Sequence, residues 1–182
     1  KSAVDKTADK KRRSGIAAAR VAERGIALDA DLKPVGPSLA WYNQQPRDIA
    51  HDLAERLDGA EVHMTTGMPL HAIAGVCKIL WLRQNKPDAF AAMRHWLHVA
   101  DYIAFRLSGV MATECGLAGR TAGFDLDALD WNSPPLAELG IDPPTLPLVG
   151  EHGAPLGTVP PGIAPEPALP DVFCRARGGQ SP

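Results

Sequence analysis

The segment 23-ERGIALDADLKPVGPSLAWYNQQ-45 decides the fold. Its apolar run, Ile26 to Leu28, is followed by a connection that carries Asp and Pro, and then by a second stretch from Ser38 to Gln45. Asp favours turns and Pro fixes φ, so two short runs with this spacing predict a β-hairpin with a longer loop. The second strand is expected to carry Trp41 and the amides after it to one mouth at a sheet edge.

The side chains at that mouth suit a small polyhydroxylated ligand. Trp41 offers a flat apolar face with one hydrogen-bond donor, whereas Asn43 and the two glutamines beside it offer donors and acceptors together. The alternative is a half-buried tryptophan at a strand end with solvated amides next to it. Composition alone favours this second interpretation.

The composition is typical of a soluble protein with one globular domain. The chain has 182 residues, of which 45% are hydrophobic and 22% charged, and its formal net charge is −2. So small a charge gives no field to recruit nucleic acid or an anionic membrane. The basic run Lys10–Arg13 is interpreted as a solvated terminus, with a nucleic-acid arm as the alternative. No stretch has the roughly 18 apolar residues of a membrane helix, and residues 1–14 lack the apolar core of a signal peptide.

The cysteines indicate the redox environment. The chain has three of them, Cys77, Cys115 and Cys174, and they are far apart and without metal-ligand spacing. An odd number at irregular spacing is typical of reduced thiols, so the sequence predicts a cytoplasmic protein with neither a nucleic-acid nor a membrane partner.

Hydrophobic periodicity and helix-ending residues predict the remaining elements. Helices are expected at 46–57, 74–85, 88–93, 101–107 and 136–139, and a short strand at 95–99. Residues 15–21 are compatible with a strand, although their alanines suit a helix equally well. Gly and Pro predict a break at 65–69, and 113–126 is expected to be loop and strand. Most of the 17 prolines follow Ile141, so this segment is expected to avoid helix and sheet interiors and to run over a surface or lead to another domain.

Metal and nucleophile motifs are weak in this sequence. Among six histidines, His95 and His98 are three apart, as on one helix face, but no third ligand follows at a familiar interval. Asp125, Asp127 and Asp130 lack the Gly and closing Glu of a calcium loop and are interpreted as a solvated turn. Neither a Walker-type phosphate loop nor a nucleophile elbow occurs. The residues by themselves predict an α/β domain with a small-ligand mouth and no metal site.

Several motifs occur in a characteristic order along the chain. They are Glu23 with the strand 25–29, Lys33-Pro34, Ala40-Trp41-Tyr42-Asn43, Thr66-Gly67-Met68-Pro69-Leu70-His71, Lys78-Ile79-Leu80-Trp81-Leu82, and the shorter motifs at 98–103, 106–109, 113–114, 118–121, 124–126 and 130–131. Together they resemble the N-terminal domain of FGGY-family carbohydrate kinases, in particular the gluconokinase- and xylulokinase-like members. The similarity extends from Gly15 to Val159, and its distribution over many motifs makes it more specific than any one of them.

The resemblance implies both a fold and an activity. The fold is an α/β domain of the actin-like ATPase or ribonuclease H-like type, here incomplete because the first strands are missing. The activity is that of a carbohydrate kinase, which uses ATP and Mg²⁺ to phosphorylate a hydroxyl of a sugar, sugar acid or polyol in a cleft between two domains. Phosphoryl transfer needs alignment and charge neutralisation, so separate domains can hold the sugar and the nucleotide.

The resemblance also implies site residues. Glu23 matches the carboxylate that accepts hydrogen bonds from sugar hydroxyls, Trp41 matches an aromatic residue of the same pocket, and Asn43 completes the expected substrate site. Asn43 and Gln45 are amides where the family usually has an acid and an arginine, which weakens charged contacts. Ser181 follows a Gly-Gly pair where the family's catalytic Asp is expected, and a serine hydroxyl cannot act as a base near neutral pH. No catalytic residue is therefore assigned.

The expected organisation has three segments. They are a polar basic segment at 1–14, a partial sugar-binding domain at 15–159, and a Pro/Gly-rich tail at 160–182 that leads toward a missing nucleotide domain. We expect the sugar-binding half of a kinase, truncated or separately encoded and inactive alone. The alternative is a non-catalytic sugar-binding or scaffolding module. The expected partners are a sugar or polyol and the C-terminal kinase domain. A missing first strand exposes a sheet edge, and pairing through that edge predicts a homodimer.

Overall fold

The computed structural model describes residues 15–16, 24–40, 42–131, 134–151, 153–158 and 171–173. The helices are α1 (Arg47–Arg56), α2 (Gly59–Thr66), α3 (Gly75–Asn85), α4 (Pro87–Ala92), α5 (Val99–Ser108), α6 (Cys115–Ala118) and α7 (Pro134–Leu139). The strands are β1 (Gly15–Ile16), β2 (Gly25–Leu28), β3 (Pro34–Val35), β4 (His95–His98), β5 (Ala112–Glu114), β6 (Leu148–Gly150), β7 (Pro155–Gly157) and β8 (Asp171–Phe173). Within these ranges, no helix is both long and apolar enough to cross a membrane.

The described strands form three small sheets. In the first, β2 lies between β3 and β4 and pairs with both in antiparallel fashion. In the second, β5 and β6 are parallel. In the third, β8 lies between β1 and β7 and is parallel to β1, although these two strands come from opposite ends of the chain. The described residues contain both helices and strands, with parallel and antiparallel pairing, which agrees with the predicted α/β class.

The predicted turn of the hairpin forms at Asp29. Its Oδ1 accepts hydrogen bonds from the backbone N–H groups of Asp31 and Lys33, each at 2.9 Å. Leu32 lies inside this turn at a φ of 62°, which a tight reversal requires. The turn returns the chain to β3, which pairs with β2.

The predicted second strand, Ser38 to Gln45, is wrong for the described residues 38–40 and 42–45, because the returning strand is β3. Gly36 follows β3 at a φ of 70° and turns the chain out of the sheet. Pro37 has no N–H with which to continue the ladder. The amides therefore follow a loop and not a strand.

The five predicted helices are confirmed as α1, α3, α4, α5 and α7, with ends that differ by at most two residues. Pro87 occupies the first turn of α4, where its missing N–H costs nothing. Gly109, at a φ of 78°, ends α5.

Helix α2 was not predicted. Asp58 caps it, and its side chain accepts hydrogen bonds from Ala60 N at 2.9 Å and from Glu61 N at 3.2 Å. Gly59, a residue type that often follows a helix, here begins α2. The break predicted at 65–69 begins only at Gly67, whose φ is 68°.

The strand predictions have mixed outcomes. The strand expected at 95–99 is confirmed as β4, whereas β1 accounts for the described part of 15–21. The segment 113–126 contains β5 but also α6 and a 3₁₀ turn at Gly119–Thr121, so the prediction of loop and strand is wrong for its helical turns.

The Pro-rich segment does enter sheets. The prediction that it avoids sheet interiors is wrong for β8, which lies between β1 and β7, whereas β6 and β7 lie at sheet edges. Pro155 lies in β7, which is the edge strand of its sheet, where a residue without an N–H leaves no ladder bond unmade.

The core is organised around α3. Every residue from Gly75 to Leu82 is buried, because α1, α4 and α7 pack around this helix. The first sheet contributes Ala27 and Trp96 to the same core. The start of β2 is thus supported by a packed interior, which positions the segment before it.

Candidate functional site

The three predicted substrate residues are described to different extents. Glu23 and Trp41 lie outside the described residues. Asn43 is described and half-buried, in the loop between β3 and α1. The geometry around the site is therefore built from Arg24, from the start of β2 and from the loop that carries Asn43.

The start of β2 is held on both sides of its backbone. The carbonyl of Arg24 accepts a hydrogen bond from Val99 N at 2.8 Å, at the point where α5 begins. The indole of Trp96 lies against Gly25 so closely that a Cβ there would be 1.9 Å from Cζ2 of the ring. Trp96 is buried, and among the described residues its Nε1 has no hydrogen-bond acceptor. The chain immediately after Glu23 therefore has a fixed backbone position.

The loop after β3 is tied back to the start of β2. Ser38 Oγ donates to the carbonyl of Gly25 at 2.8 Å, and Leu39 and Ala40 are buried beneath the loop. Asn43 N donates to the carbonyl of Ala40 at 3.1 Å, which holds these two described residues together. Residues far apart in sequence, Gly25 and the segment 38–43, are thus neighbours in the fold.

Asn43 and Gln45 form a hydrogen-bonded pair of amides. Asn43 Oδ1 accepts from Gln45 N at 2.9 Å, and Asn43 Nδ2 donates to Gln45 Oε1 at 3.1 Å. The pair is neutral, so this part of the loop offers a ligand amide groups and no carboxylate. The family resemblance implies an acid and an arginine near these two positions. The amides found here differ from that pair in hydrogen-bonding capacity as well as in charge.

A family model described as the FGGY family of carbohydrate kinases, N-terminal domain, matches residues 1–171. The chain belongs to this family. The FGGY assignment made from the motifs is confirmed, as is the likeness to gluconokinases and xylulose kinases.

Two relatives illustrate how much of an FGGY kinase the chain represents. It is 29% identical to the gluconokinase of Bacillus subtilis over 170 residues, which are 90% of the chain and 33% of the relative. It is 33% identical to the xylulose kinase of Streptomyces rubiginosus over 135 residues, which are 74% of the chain and 28% of the relative. The chain therefore spans about a third of the length of these relatives.

Solved FGGY kinases share the fold. The ligand-bound xylulose kinase from Lactobacillus acidophilus superposes with a TM-score of 0.80 at 25% identity, over 90% of this chain and 34% of that one. The gluconate kinase from the same organism superposes with a TM-score of 0.76 at 26% identity, over 85% of this chain and 32% of that one. The actin-like ATPase fold implied by the motifs is thereby confirmed.

The histidine and aspartate motifs of this FGGY domain are structural. His95 and His98 both lie in β4, where residues three apart face opposite sides of the sheet, so they cannot share a metal as they would on a helix. Asp125 Oδ1 accepts from Asp127 N at 2.9 Å and from Ala128 N at 2.8 Å, which is the hydrogen bonding of a turn.

Cys77 is a core residue of the FGGY domain. Burial raises the pKa of its thiol to about 12, and the charge of Lys78 offsets only part of that rise. A thiol that stays protonated at neutral pH is a poor nucleophile. Neither Cys77 nor Cys115 is in a disulfide.

Two cavities lie away from the predicted sugar residues. Each has a volume of about 700 Å³, and both are lined by His95, Pro143 and Pro144. His95 pairs with Leu28, at the opposite end of β2 from Gly25. No sequence motif indicated these cavities, because their walls come from segments that are distant in the chain. They are not part of the predicted sugar site of the FGGY domain.

Proposed function

We propose that this chain is the sugar-binding half of an ATP-dependent carbohydrate kinase, a phosphotransferase that moves a phosphoryl group from ATP to a hydroxyl of a sugar, sugar acid or polyol. The family match over residues 1–171 carries the proposal. The relatives are sugar kinases about three times as long as the matched region, which supports a second domain for the nucleotide.

The proposed roles follow from the chemistry of each side chain. Glu23 accepts hydrogen bonds from sugar hydroxyls, Trp41 packs its ring against the C–H face of the sugar, and Asn43 contributes amide hydrogen bonds. The hydrogen bond from Ser38 to Gly25 supports this arrangement, because it brings the loop of Asn43 to the strand that follows Glu23.

ATP and Mg²⁺ are assigned to the second domain. In the described part of the chain, the group of side chains that could hold a metal ion is His51, Asp52 and Glu55, on the exposed face of α1. A histidine nitrogen does not suit Mg²⁺, which prefers oxygen ligands. We therefore place no step of the reaction on these residues. The chain's own contribution is to bind and orient the sugar, and closure against the second domain would exclude water as a competing acceptor.

Two further expectations stay predictions. One is the organisation into segments 1–14, 15–159 and 160–182, and the other is a homodimer formed through a sheet edge. Ser181 lies outside the described residues, so its alignment with the catalytic Asp stays a prediction as well.

A coupled ADP-release assay combined with calorimetry tests the proposed function. The isolated chain is expected to bind at least one member of a panel of pentoses, hexonates and polyols, and to release no ADP with any of them. Turnover by the chain alone would contradict the division between two domains. Absence of binding across the panel would contradict a sugar-binding half.

The neutral amide pair favours a second candidate function, a non-catalytic sugar-binding or scaffolding module. An FGGY domain that lacks charged contacts at 43 and 45 could keep the fold and lose the chemistry. Sequencing the DNA that flanks the coding segment separates the two candidates. A nucleotide domain in the adjoining reading frame supports the kinase, and its absence supports the module.

A further inference from the structure

We propose that one of the two cavities, the one beside Trp131, binds a small organic cation with an apolar body, at a site separate from the predicted sugar residues. Its walls are β4, the end of α5, the Trp131 side chain and the segment that leads into β6, and we call it the Trp131 cavity. The proposal goes beyond the sugar-binding function and does not depend on it.

The Trp131 cavity has the size and the lining of a small-molecule site. Its volume of about 700 Å³ lies within the roughly 300–1,000 Å³ of ligand clefts. Val110 and Leu148 are exposed, whereas Leu97 and Leu146 are buried, so the cavity opens to solvent on one side and rests on the core. The apolar walls are formed by Leu97, Val110, Met111, Trp131, Leu146 and Leu148. These walls suit a ligand whose body is apolar.

Hydrogen bonds hold the walls in place without a ligand. Trp131 Nε1 donates to the carbonyl of Pro147 at 2.7 Å, and Trp131 N donates to Asp130 Oδ1 at 2.7 Å. Both N–H groups of Trp131 are therefore used, and the ring offers the cavity an apolar surface. Leu148 N donates to the carbonyl of Met111 at 3.2 Å, which joins the other two walls. A cavity that is already formed loses little conformational entropy when a ligand binds.

The charges around the Trp131 cavity favour a cation. Among the described residues that line it, Asp130 is the one carboxylate, and neither Lys nor Arg occurs. Oδ1 of Asp130 is oriented by Trp131 N, whereas Oδ2 takes part in no hydrogen bond or ion pair with the described residues. Helix α5 ends at the same cavity, because its cap Gly109 is part of the wall, and the C-terminal end of a helix carries a partial negative charge. An ammonium group is attracted by both features, and a carboxylate is repelled.

The second cavity adjoins the first and does not change this preference. The two share His95, Pro143 and Pro144. The second cavity is also lined by Arg94 and Asp142, whose charges are opposite. It therefore adds no net charge next to the Trp131 cavity, and the preference for a cation depends on Asp130.

Three indole compounds form a matched set of probes, because they share a two-ring body and differ at the end of a short chain. Tryptamine carries an ammonium group, 3-ethylindole carries no charge, and indole-3-propionate carries a carboxylate. Titration calorimetry on the full chain at about pH 8, where free imidazole is neutral, is expected to show tryptamine binding about fivefold more tightly than 3-ethylindole. Indole-3-propionate should bind more weakly than 3-ethylindole. The preference should weaken with added salt, because Asp130 is exposed.

The variant Asp130→Asn tests the source of the preference. The new side chain keeps an oxygen to accept from Trp131 N, so the turn is retained and only the charge is removed. We expect tryptamine affinity to fall about fivefold, to that of 3-ethylindole. Asp127→Asn is the matched control, because it removes the same charge from an exposed residue of the same turn that does not line the cavity. It should leave the ratio of the two affinities within about twofold of the parent value.

The variant Val110→Trp tests the location of the site. The larger side chain occupies part of the cavity, so all three affinities should fall by at least about tenfold. Ile103→Trp is the control, because it enlarges an exposed position of α5 that does not line the cavity. It should leave the three affinities within about twofold of the parent values.

The outcomes decide for or against the site. The expected order of affinities, lost in Asp130→Asn and Val110→Trp and kept in both controls, supports it. Absence of binding by all three compounds, equal affinities, or binding that Val110→Trp leaves intact overturns the proposal. An equal effect of Asp127→Asn or of Ile103→Trp also overturns it, because the change would then be general electrostatics or general damage to the fold. None of these results bears on sugar binding, which the panel of sugars tests separately.

Discussion

Gly25, near the proposed site, has no room for a side chain. The ring of Trp96 occupies the space that a Cβ would need, at 1.9 Å from Cζ2 and 2.4 Å from Cη2. Because this ring is buried, it cannot swing into solvent to make room. A glycine is required here by close packing and not by an unusual φ.

We expect Gly25→Ala to lower the free energy of unfolding by about 1–3 kcal/mol, since the ring or the strand must shift. Gly59→Ala is the matched control, because nothing lies within 4 Å of the Cβ it would add at the start of α2. That variant should be neutral or slightly stabilising. Urea denaturation measures the free energy of unfolding of both variants. Equal effects of the two substitutions would contradict the packing argument.

The Cys77 thiol gives stability a defined pH dependence. Its pKa is about 12 in the folded chain, because of burial, and 9.0 for the ordinary thiol. The unfolded chain therefore loses this proton first as the pH rises. The contribution of Cys77 to the free energy of unfolding is constant below pH 9 and falls as the pH rises from there toward 12.

We expect unfolding free energies measured in urea to decline above pH 9 by up to about 1.4 kcal/mol per pH unit from this group. Cys77→Ala should have a shallower decline over the same range, whatever its absolute stability. Identical slopes for the two proteins would show that Cys77 ionises as easily in the folded chain as in the unfolded one.

At the scale of elements, α2 depends on a single capping side chain. Asp58 satisfies two N–H groups of the first turn and places a negative charge at the positive end of the helix. We expect Asp58→Ala to cost about 1 kcal/mol, and Asp58→Asn to recover most of that loss. Asp52→Ala, on the exposed face of α1, should change stability by less than about 0.5 kcal/mol. Equal losses for all three would contradict the capping role.

Helix α2 also shows why some helices could be predicted from the sequence and others could not. Apolar residues at helical spacing identified α1, α3 and α5, whereas prolines at the first turn indicated the shorter helices α4 and α7. Helix α2 buries only Val62 and Thr66, so it carries little apolar periodicity, and Gly59 directly after the Asp58 cap is a residue more typical of a helix end. The extent of the second hairpin strand was wrong because Gly36 and Pro37 end it after two residues.

The site could be predicted only in part. The sequence predicted Asn43 as a substrate residue, which stays a prediction, and it could not indicate that the Asn43 amide bonds to Gln45. The hydrogen bond from Ser38 to Gly25 and the contact of the Trp96 ring with Gly25 also depend on residues that are neighbours only in the folded chain. Such contacts are absent from local sequence patterns because the partners are separated along the chain.

At the scale of the whole molecule, strand pairings join parts of the described chain that are distant in sequence. β1 pairs with β8, and β5 pairs with β6 across α6 and α7. The segment before β6 is also held by Trp131, whose Nε1 donates to the carbonyl of Pro147 at 2.7 Å in a buried position. This hydrogen bond links the turn that precedes α7 to the second sheet.

The indole of Trp131 packs edge-to-face against Phe124, with the ring centroids 5.5 Å apart. Trp131→Phe removes the Nε1 donor and keeps an aromatic ring against Phe124. The carbonyl of Pro147 is then buried without a partner, which should cost about 1–3 kcal/mol. We expect amide hydrogen exchange, followed by mass spectrometry, to accelerate in β6 while exchange in β2 stays as in the parent chain. Acceleration of equal size in both strands would mean that the bond supports the fold as a whole. Unchanged exchange in β6 would mean that parallel pairing with β5 holds this strand without help from Trp131.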